Sequence, residues 1–312
     1  MRKNAITLLT FAVILAYAGF VEWTWGWTGI LEQWRNAGGW AIAAAITLLI
    51  ATYFVRAHRI HDYFPAETRG RFIWLFRVTQ VHNLLNMMMP FRLGETSFPL
   101  LMRSEFGLPI AKGTASLLVM RVLDMHALLA AASVGLVAHA GYRAWTWALW
   151  LLFLLLPVLL FPFRGAVMRT ADRLMPMRLS GLVDRLAEGA PQEWPTFLRV
   201  WALTAINWGV KMAVLAWVLR LMGVTPFAAT FGAALGGELS SVLPLHAPGG
   251  AGTYPAAIVA GALAFGASDN ASAMDTLARA AINTHLLIVV SALVGTGLSL
   301  LLSMAAPRRN SA

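Results

Sequence analysis

Long apolar runs separated by short polar segments dominate the chain. Six of these runs are uninterrupted and near bilayer length: 5–22, 39–55, 113–138, 145–163, 200–222 and 277–303. A helix needs about 20 apolar residues to cross the hydrocarbon core of a bilayer. Several of the runs are flanked by Trp or Arg, which are typical of the membrane interface. The pattern therefore predicts about six full transmembrane helices.

Two further apolar regions, 72–110 and 227–266, are interrupted near their centres. The first is broken at 90–95 and the second at 244–252, where Pro, Gly and polar residues replace the apolar pattern. Proline removes a backbone donor and clashes with the preceding turn, and glycine lets the backbone bend. Because free backbone groups and charges are costly in hydrocarbon, we expect both breaks to line a polar cavity inside the protein.

The composition of the chain also indicates a membrane protein. Apolar residues make up 59% of it and charged residues 12%, and the mean hydropathy is +0.67. These values are typical of an all-α polytopic membrane protein. No hydrophilic stretch is long enough for a soluble domain, so residues 1–312 are predicted to form a single integral domain. The absence of Cys excludes disulfides, thiolate metal sites and Cys nucleophiles.

Basic residues are concentrated in alternate loops. The net charge of +10 comes mostly from arginine at the two termini and in segments 56–71 and 164–199, whereas the intervening loops carry only Arg35 and Arg143. The positive-inside rule places both termini and both basic segments in the cytoplasm. We therefore interpret the charge as an orientation signal and not as a nucleic-acid surface. This predicts a multi-pass protein of the bacterial cytoplasmic (inner) membrane.

This orientation makes each interrupted region return to the side from which it enters. Region 72–110 enters from the cytoplasm and region 227–266 from the outside, as re-entrant hairpins or as pairs of short spans. Re-entrant hairpins are favoured because 96–110 is too short and polar to cross alone. The halves 1–139 and 144–306 then form an inverted-topology repeat, in which broken helices meet near the midplane at the substrate site. Accidental similarity is the alternative, because the identity between the halves is weak.

Ionisable residues inside apolar runs are candidates for function. Arg121 and Asp124 are three residues apart and share a helix face. They would present an arginine to an anionic group, or else pair only with each other. Arg279 and Asn283 occupy the corresponding place in the second half, where the alternative is that Arg279 extends to the membrane interface.

Further candidates lie close to the second break. Asn207 and Lys211 share a face of run 200–222, and Lys211 is expected to face protein or water because it lies well inside that run. Glu238 precedes the break and would neutralise Lys211 or an arginine. The alternative is a purely structural pair between two helices.

The glycines of the second break predict a special turn. Gly249, Gly250 and Gly252 follow Pro248, and a turn of this kind can point several backbone N–H groups at an anion such as phosphate. It is not a nucleotide-binding P-loop, because no Gly-Lys-Ser/Thr follows it. The alternative is close helix packing, for which small residues are also expected.

The histidines do not have the spacing of metal ligands. His82, His126, His246 and His285 are scattered through the chain, so neither a metal nor another cofactor is predicted. His246 lies within the second break and is included among the candidates for the site.

Four short motifs, taken in order, resemble a known family. They are NMMMPFRLGE at 86–95, LLMR at 100–103, RVLD at 121–124 and PGGAG at 248–252. Together they resemble the flippase-like membrane domain of lysylphosphatidylglycerol synthases. In the two-domain relatives this region translocates an aminoacylated phospholipid made by a separate cytoplasmic domain, so the resemblance implies translocation without synthesis. The candidate substrate-binding residues are Asn86, Pro90, Arg92, Gly94, Glu95, Arg121, Asp124, Lys211, Glu238, His246, Pro248, Gly249, Gly250, Gly252, Arg279 and Asn283.

One position departs from the family pattern. The family usually has a Glu shortly after the glycine-rich break, where this chain reads Thr253-Tyr254-Pro255. The missing carboxylate argues against a cationic, lysine-bearing headgroup. Glu238 is the carboxylate that would substitute for it.

These features predict a lipid translocase (flippase) and not an enzyme. The substrate would be an anionic or zwitterionic phospholipid or a polyprenyl-phosphate-linked lipid, with its phosphate between Arg92, Arg121 and the 248–252 turn. The alternative is a membrane-embedded transferase acting on a lipid-linked donor, with Glu95 or Asp124 as general base. The partners expected are the membrane lipid and either a second copy of the chain or proteins of envelope lipid and glycan biosynthesis, with no nucleic acid.

Overall fold

The computed structural model describes residues 2–166, 170, 188–241 and 247–306, without the side chains at 2–11, 13 and 90–92. The described residues are helical apart from short connections. The helices are α1 (Arg2–Trp25), α2 (Trp27–Ala37), α3 (Gly39–Tyr63), α4 (Pro65–Thr68), α5 (Phe72–Met88), α6 (Ser97–Phe106), α7 (Ile110–Ala132), α8 (Val134–His139), α9 (Ala144–Leu160), α10 (Trp194–Leu221), α11 (Phe227–Ser240), α12 (Thr253–Ala264) and α13 (Ala271–Ala305). Three 3₁₀ turns, Pro90–Thr96, Phe161–Phe163 and Pro248–Gly250, connect some of them.

Five helical stretches in the described part are long and apolar enough to cross a membrane. They are Gly39–Tyr63, Ile110–His139, Ala144–Ala166, Trp194–Leu221 and Ala271–Ala305. Each coincides with one of the predicted full spans to within a residue at its end or contains it, so the prediction of an all-α polytopic membrane protein is confirmed. The sixth predicted span, 5–22, lies on α1, which is not among the five, and its crossing stays a prediction.

Helix α3 is longer than predicted. The predicted span ends at residue 55, where the first arginines appear, but the helix continues to Tyr63. The side chain of Arg59 is buried in this extension and pairs with Asp124 of α7. A buried arginine with a carboxylate partner can continue an embedded helix, because its charge is neutralised there. Residues 56–63 are therefore helical and do not form the start of a loop, whereas their cytoplasmic side stays a prediction.

The first interrupted region is two helices joined by a 3₁₀ turn. Helix α5 ends at Met88, the turn Pro90–Thr96 follows, and α6 begins at Ser97. The turn lies directly against the last part of α5, so that a Cβ at Gly94 would collide with the backbone of Asn86. Glycine is therefore required here by close approach of two backbone segments. Helix α6 packs on both α5 and α7.

The second interrupted region has the same order of elements. Helix α11, the turn Pro248–Gly250 and helix α12 follow one another, and the two helices pack along each other. Small residues allow this contact, because a Cβ at Gly236 or Gly261 would meet the backbone of the facing helix. Small residues at helix interfaces are typical of membrane proteins.

One arm of each interrupted region is a short helix. Helix α6 has 10 residues and α12 has 12, whereas a span needs about 20. The re-entrant hairpins, the number of crossings and the inverted repeat stay predictions. The largest apolar cluster joins α3, α7, α10, α11, α12 and α13, and these helices together with α5 enclose the site.

Candidate functional site

A cavity of about 480 Å³ lies where the two interrupted regions meet α3, α7, α10 and α13. Both interrupted regions reach it, the first through Asn86 and Met87 near the end of α5 and the second through Gly249 and Gly250. The polar and aromatic side chains that line it are Arg56, His82, Asn83, Asn86, Arg121, Asp124, Trp208, Lys211, Glu238, Ser241, Tyr254 and His285. The cavity is therefore rich in ionisable groups although it lies within an apolar protein.

Asp124 is the centre of the ionic network on one side of the cavity. Its Oδ1 accepts hydrogen bonds from Arg59 Nη1 at 2.5 Å and from Trp208 Nε1 at 3.0 Å. Its Oδ2 accepts from Arg121 Nη1 at 3.3 Å. These contacts join α3, α7 and α10 at one buried carboxylate. Since both of its oxygens are occupied, Asp124 is suited to orienting arginines.

Arg121 connects α7 to the first break. Its Nη2 lies 2.9 Å from Glu95 Oε1, and its Nη1 lies 3.3 Å from Asp124 Oδ2. The Nε2 atom of His82 is 3.5 Å from Arg121 Nη2, and Nδ1 of the same ring is 2.9 Å from Ser97 Oγ. Arg121 is thus not paired only within its own helix. It contacts two carboxylates and still borders the cavity.

A second ion pair also lines the cavity. Lys211 Nζ is 2.8 Å from Glu238 Oε2, and Tyr254 donates its hydroxyl to Glu238 Oε1 at 2.9 Å. The Tyr254 ring stacks on His285 with a centroid distance of 5.3 Å, and His285 Nε2 is 2.7 Å from the carbonyl oxygen of Gly249. These contacts connect α10 and α11 to the second break and to α13.

Arg56 is the cation of the cavity without an ion-pair partner in the described part of the chain. Its Nη1 donates to Asn83 Oδ1 at 3.2 Å, and its Nε has no hydrogen-bond partner. The buried Oδ1 of Asn86 has none either. Among the described side chains at and around the cavity, four cations stand against three carboxylates, an excess of one positive charge. They are Arg56, Arg59, Arg121 and Lys211, against Glu95, Asp124 and Glu238.

One edge of the cavity is apolar and exposed. Leu118, Val122 and Met125 of α7 belong to its lining, and Val122 is 59% exposed. In a membrane protein such side chains face lipid. The cavity therefore combines a charged interior with an apolar edge, an arrangement that suits an amphipathic molecule.

Two predicted site residues lie away from the cavity. Asn283 is buried against α2, where its Nδ2 donates to the carbonyl oxygen of Ile30 at 2.8 Å and its Oδ1 accepts from Trp34 Nε1. Arg279 Nε lies 2.9 Å from Asp275 Oδ2. The structure brings neither residue to Arg121 or Lys211. Both attach α2 to α13.

The remaining predicted residues divide into three groups. Asn86, Asp124, Lys211, Glu238, Gly249 and Gly250 line the cavity with Arg121, and Glu95 contacts it through Arg121. Gly94, Pro248 and Gly252 shape the backbone of the breaks. The side chains of Pro90 and Arg92, and all of His246, lie outside the described part.

The glycines of the second break are required by backbone conformation. Gly249, Gly250 and Gly252 have φ of 65°, 72° and 74°, in the left-handed region that favours glycine. A Cβ at Gly249 would find ordinary contacts and one at Gly252 open space. Close packing therefore does not explain these two glycines.

Several residues of the cavity were not predicted. Arg56, Asn83, Trp208, Tyr254 and His285 belong to the lining. The spacing of Arg56 and Arg59 on one face at the end of an apolar run was the signal that could have identified them. The orientation argument assigned both to a loop instead. Trp208 and His285 carry no comparable signal in the sequence.

These features define a polytopic α-helical membrane protein with a charged cavity between two interrupted helical regions. The family described as "Lysylphosphatidylglycerol synthase TM region" matches residues 5–303, and the chain belongs to that family. The resemblance seen in the four motifs is thereby confirmed over nearly the whole chain. Searches of curated proteins and of solved structures gave no match.

Proposed function

We propose that the protein is a lipid translocase (flippase) that moves an anionic or zwitterionic phospholipid, or a polyprenyl-phosphate-linked lipid, across the cytoplasmic membrane. The observation that carries the proposal is Arg56, a cavity cation that is not in an ion pair within the described part. Arg56 is partly buried; a cation without a counter-ion is costly there, and a phosphate group would supply the missing charge. Membership of a family whose domains are implicated in lipid translocation supports the same function.

The lipid phosphate binds between Arg56 and Arg121 in this proposal. Guanidinium groups donate two parallel hydrogen bonds to phosphate oxygens, and Asn83 lies beside Arg56 to hold it in place. The acyl or prenyl chains leave the cavity along Leu118 and Val122 and remain in the bilayer. The protein then shields only the headgroup, which is the part of the lipid that cannot cross hydrocarbon unaided.

Partial neutralisation of the site favours release of the lipid after it has bound. Arg121 already contacts Glu95 and Asp124, so a phosphate must compete with two carboxylates for the same guanidinium. Competition of this kind lowers affinity, because the interaction gained is offset by the one that is lost. A transport site needs such moderate affinity, since a lipid held too tightly would not leave on the other side.

The two interrupted regions are the moving parts in this mechanism. We take them as oppositely oriented re-entrant hairpins of an inverted-topology repeat, with both termini in the cytoplasm. Their short arms and the presence of both interrupted regions at one cavity support this arrangement. Alternating movement of the hairpins would open the cavity first to one side and then to the other.

The carboxylates of the cavity favour transport over lipid-linked group transfer, because they are already engaged by other side chains. A general base needs a carboxylate free to accept a proton at the reacting group. Asp124 and Glu238 are both held by cations and by an indole or phenol donor, and both carboxylate oxygens of Glu95 contact Arg121. None of the three is presented to a substrate as a free base.

Reconstitution in liposomes tests the proposal. The protein is incorporated with acyl-chain-labelled fluorescent phosphatidylglycerol, and dithionite bleaches the label in the outer leaflet. We expect dithionite to reach nearly all of the label with the wild type, and only the outer-leaflet share with Arg56→Gln. Arg143→Gln, which alters an exposed arginine, is the matched control and should behave as wild type.

Three outcomes would contradict the proposal. The first is a wild-type trace equal to that of protein-free liposomes. The second is unimpaired movement in Arg56→Gln. The third is a lipid of new mass in the extracted bilayer, which would favour the transferase.

A further inference from the structure

We propose that Glu238, Tyr254 and Trp208 form an ammonium-binding subsite in the cavity, and that the chain's own Lys211 occupies it. The inference rests on the proposed function, because it assigns Lys211 to selection of the lipid headgroup. With Lys211 in place, the protein carries anionic headgroups that lack an amine. Without Lys211, the subsite accepts the primary amine of a zwitterionic headgroup such as that of phosphatidylethanolamine.

The groups around the Lys211 ammonium are those that recognise a cation. Glu238 Oε2 lies 2.8 Å from Nζ, and the centre of the Trp208 ring lies 5.2 Å from it. Tyr254 donates to the other carboxylate oxygen at 2.9 Å and so fixes the orientation of Glu238. A carboxylate together with an aromatic face binds ammonium groups through charge and cation–π attraction. Lys211 thus behaves as a tethered ligand of a preformed subsite.

Trp208 places this subsite next to the phosphate-binding arginines. The face of its ring lies beside Lys211, while its Nε1 donates to Asp124, which also contacts Arg121. All of these residues line the same cavity. A headgroup whose phosphate is bound by Arg121 therefore has its terminal substituent in the same enclosed space as the subsite.

The tether makes Lys211 an effective competitor. An intramolecular group competes at an effective concentration of the order of millimolar or more, without the entropic cost of bringing in a separate molecule. A headgroup amine that displaced it would also leave Lys211, whose side chain is 13% exposed, without its carboxylate. Such an unpaired cation in a cavity is costly. Lys211 therefore disfavours amine-bearing headgroups, which is specificity obtained by excluding the wrong ligand.

A binding experiment tests the subsite independently of transport. Melting temperatures of the purified full chain are measured in detergent with methylammonium chloride and with equal sodium chloride. Lys211→Met vacates the subsite, and Lys211→Gln provides a second vacated form if the Met variant does not fold. The matched control is Lys112→Met, which removes a lysine that pairs with Glu67 at 2.8 Å outside the cavity.

Methylammonium should raise the melting temperature of the vacated variants and leave the wild type and Lys112→Met unchanged. Equal melting temperatures in the two salts for both vacated variants would overturn the subsite. If methylammonium raised the melting temperature of Lys112→Met as much as that of the vacated variants, the subsite would also be overturned, since that effect would not come from the cavity.

A transport experiment then tests selection of the headgroup. Liposomes contain acyl-chain-labelled phosphatidylglycerol or phosphatidylethanolamine, and the ratio of their initial rates is measured. We expect the wild type and Lys211→Arg to favour phosphatidylglycerol, and Lys211→Gln to lower the ratio about tenfold, which corresponds to a differential binding free energy of about 1.4 kcal/mol. An unchanged ratio in Lys211→Gln, while the wild type moves phosphatidylglycerol, would overturn the role of Lys211. If the wild type moves neither lipid but methylammonium still binds the vacated variants, the proposed function fails and the subsite stands.

Discussion

Arg59 Nη1 lies 2.5 Å from Asp124 Oδ1, and the two side chains are only 3% and 5% exposed. The pair joins α3 to α7, and Trp208 Nε1 adds α10 through the same oxygen. Asp124 is therefore the point at which three of the helices around the cavity are held together. Removing one partner of the Arg59–Asp124 pair costs more free energy than removing one partner of an exposed ion pair, because the remaining charge would not be solvated.

Asp124→Leu should strongly destabilise the protein. The substitution leaves the buried Arg59 without a counter-ion, and breaking a buried pair from one side costs about 3–5 kcal/mol. Replacing both partners, as in Arg59→Met/Asp124→Leu, should recover a large part of that loss because no buried charge remains. Thermal unfolding in detergent measures both variants. A double variant no more stable than Asp124→Leu would contradict the explanation.

Gly94→Ala should destabilise the first break through steric overlap. The added Cβ would collide with the backbone of Asn86, and backbone cannot move aside as a flexible side chain can. Overpacking of this kind costs about 1–3 kcal/mol. Gly209→Ala in α10 is the matched control, because a Cβ there meets nothing within 4 Å. The control should have the stability of the wild type or slightly more, since alanine favours helix.

Five of the spans, the two breaks and the Arg121–Asp124 contact could be predicted from sequence, because each depends on local pattern. The Arg59–Asp124 pair could not, because it joins residues that are 65 positions apart. Charges are so rare within the apolar runs that Arg121, Asp124 and Lys211 were identifiable without tertiary information. The position of the Arg279 side chain was not predictable, because an arginine near the end of a long helix can point either into a cavity or towards the membrane interface. Its contact with Asp275 lies within α13, and its contact with Gly29 follows from the packing of α2 on α13. Arg56 was missed because positive-inside reasoning treats arginines at a span end as loop residues.

Single cysteines test whether each interrupted region returns to its own side. The chain contains no Cys, so each variant carries one reporter. We expect Arg69→Cys and Ser104→Cys, which flank the first region, to react with an impermeant maleimide only from the cytoplasm. Thr225→Cys and Ser268→Cys flank the second region and should react only from outside. All four positions are exposed, so accessibility from the aqueous phase does not depend on the cavity being open.

Labelling of Arg69→Cys and Ser104→Cys from opposite sides would mean that the first region crosses the membrane once. The same result for the other pair would mean a single crossing of the second region. Either would contradict the inverted repeat. Reaction of all four from one side would contradict the opposite orientation of the two regions.

Asn283→Ala should reduce stability without altering lipid selection. Asn283 is fully buried. Its amide nitrogen donates to the carbonyl oxygen of Ile30, and its amide oxygen accepts from the indole N–H of Trp34. Leaving such partners unsatisfied costs about 1–3 kcal/mol. Because these contacts attach α2 and lie away from the cavity, the ratio of transport rates for phosphatidylglycerol and phosphatidylethanolamine should equal that of the wild type. A changed ratio would place Asn283 in the transport site after all.

Trp208 should contribute to the Asp124 network through its Nε1 and to the ammonium subsite through the face of its ring. Trp208→Phe removes the hydrogen bond to Asp124 but keeps an aromatic face next to position 211, whereas Trp208→Leu removes both. Combined with Lys211→Gln, Trp208→Phe should therefore retain the stabilisation by methylammonium, and Trp208→Leu should lose most of it. Both single variants should be less stable than the wild type, because each loses a hydrogen bond to a charged acceptor worth about 1.5–3 kcal/mol. Equal methylammonium effects in the two backgrounds would show that the carboxylate alone binds the cation and that the indole face takes no part.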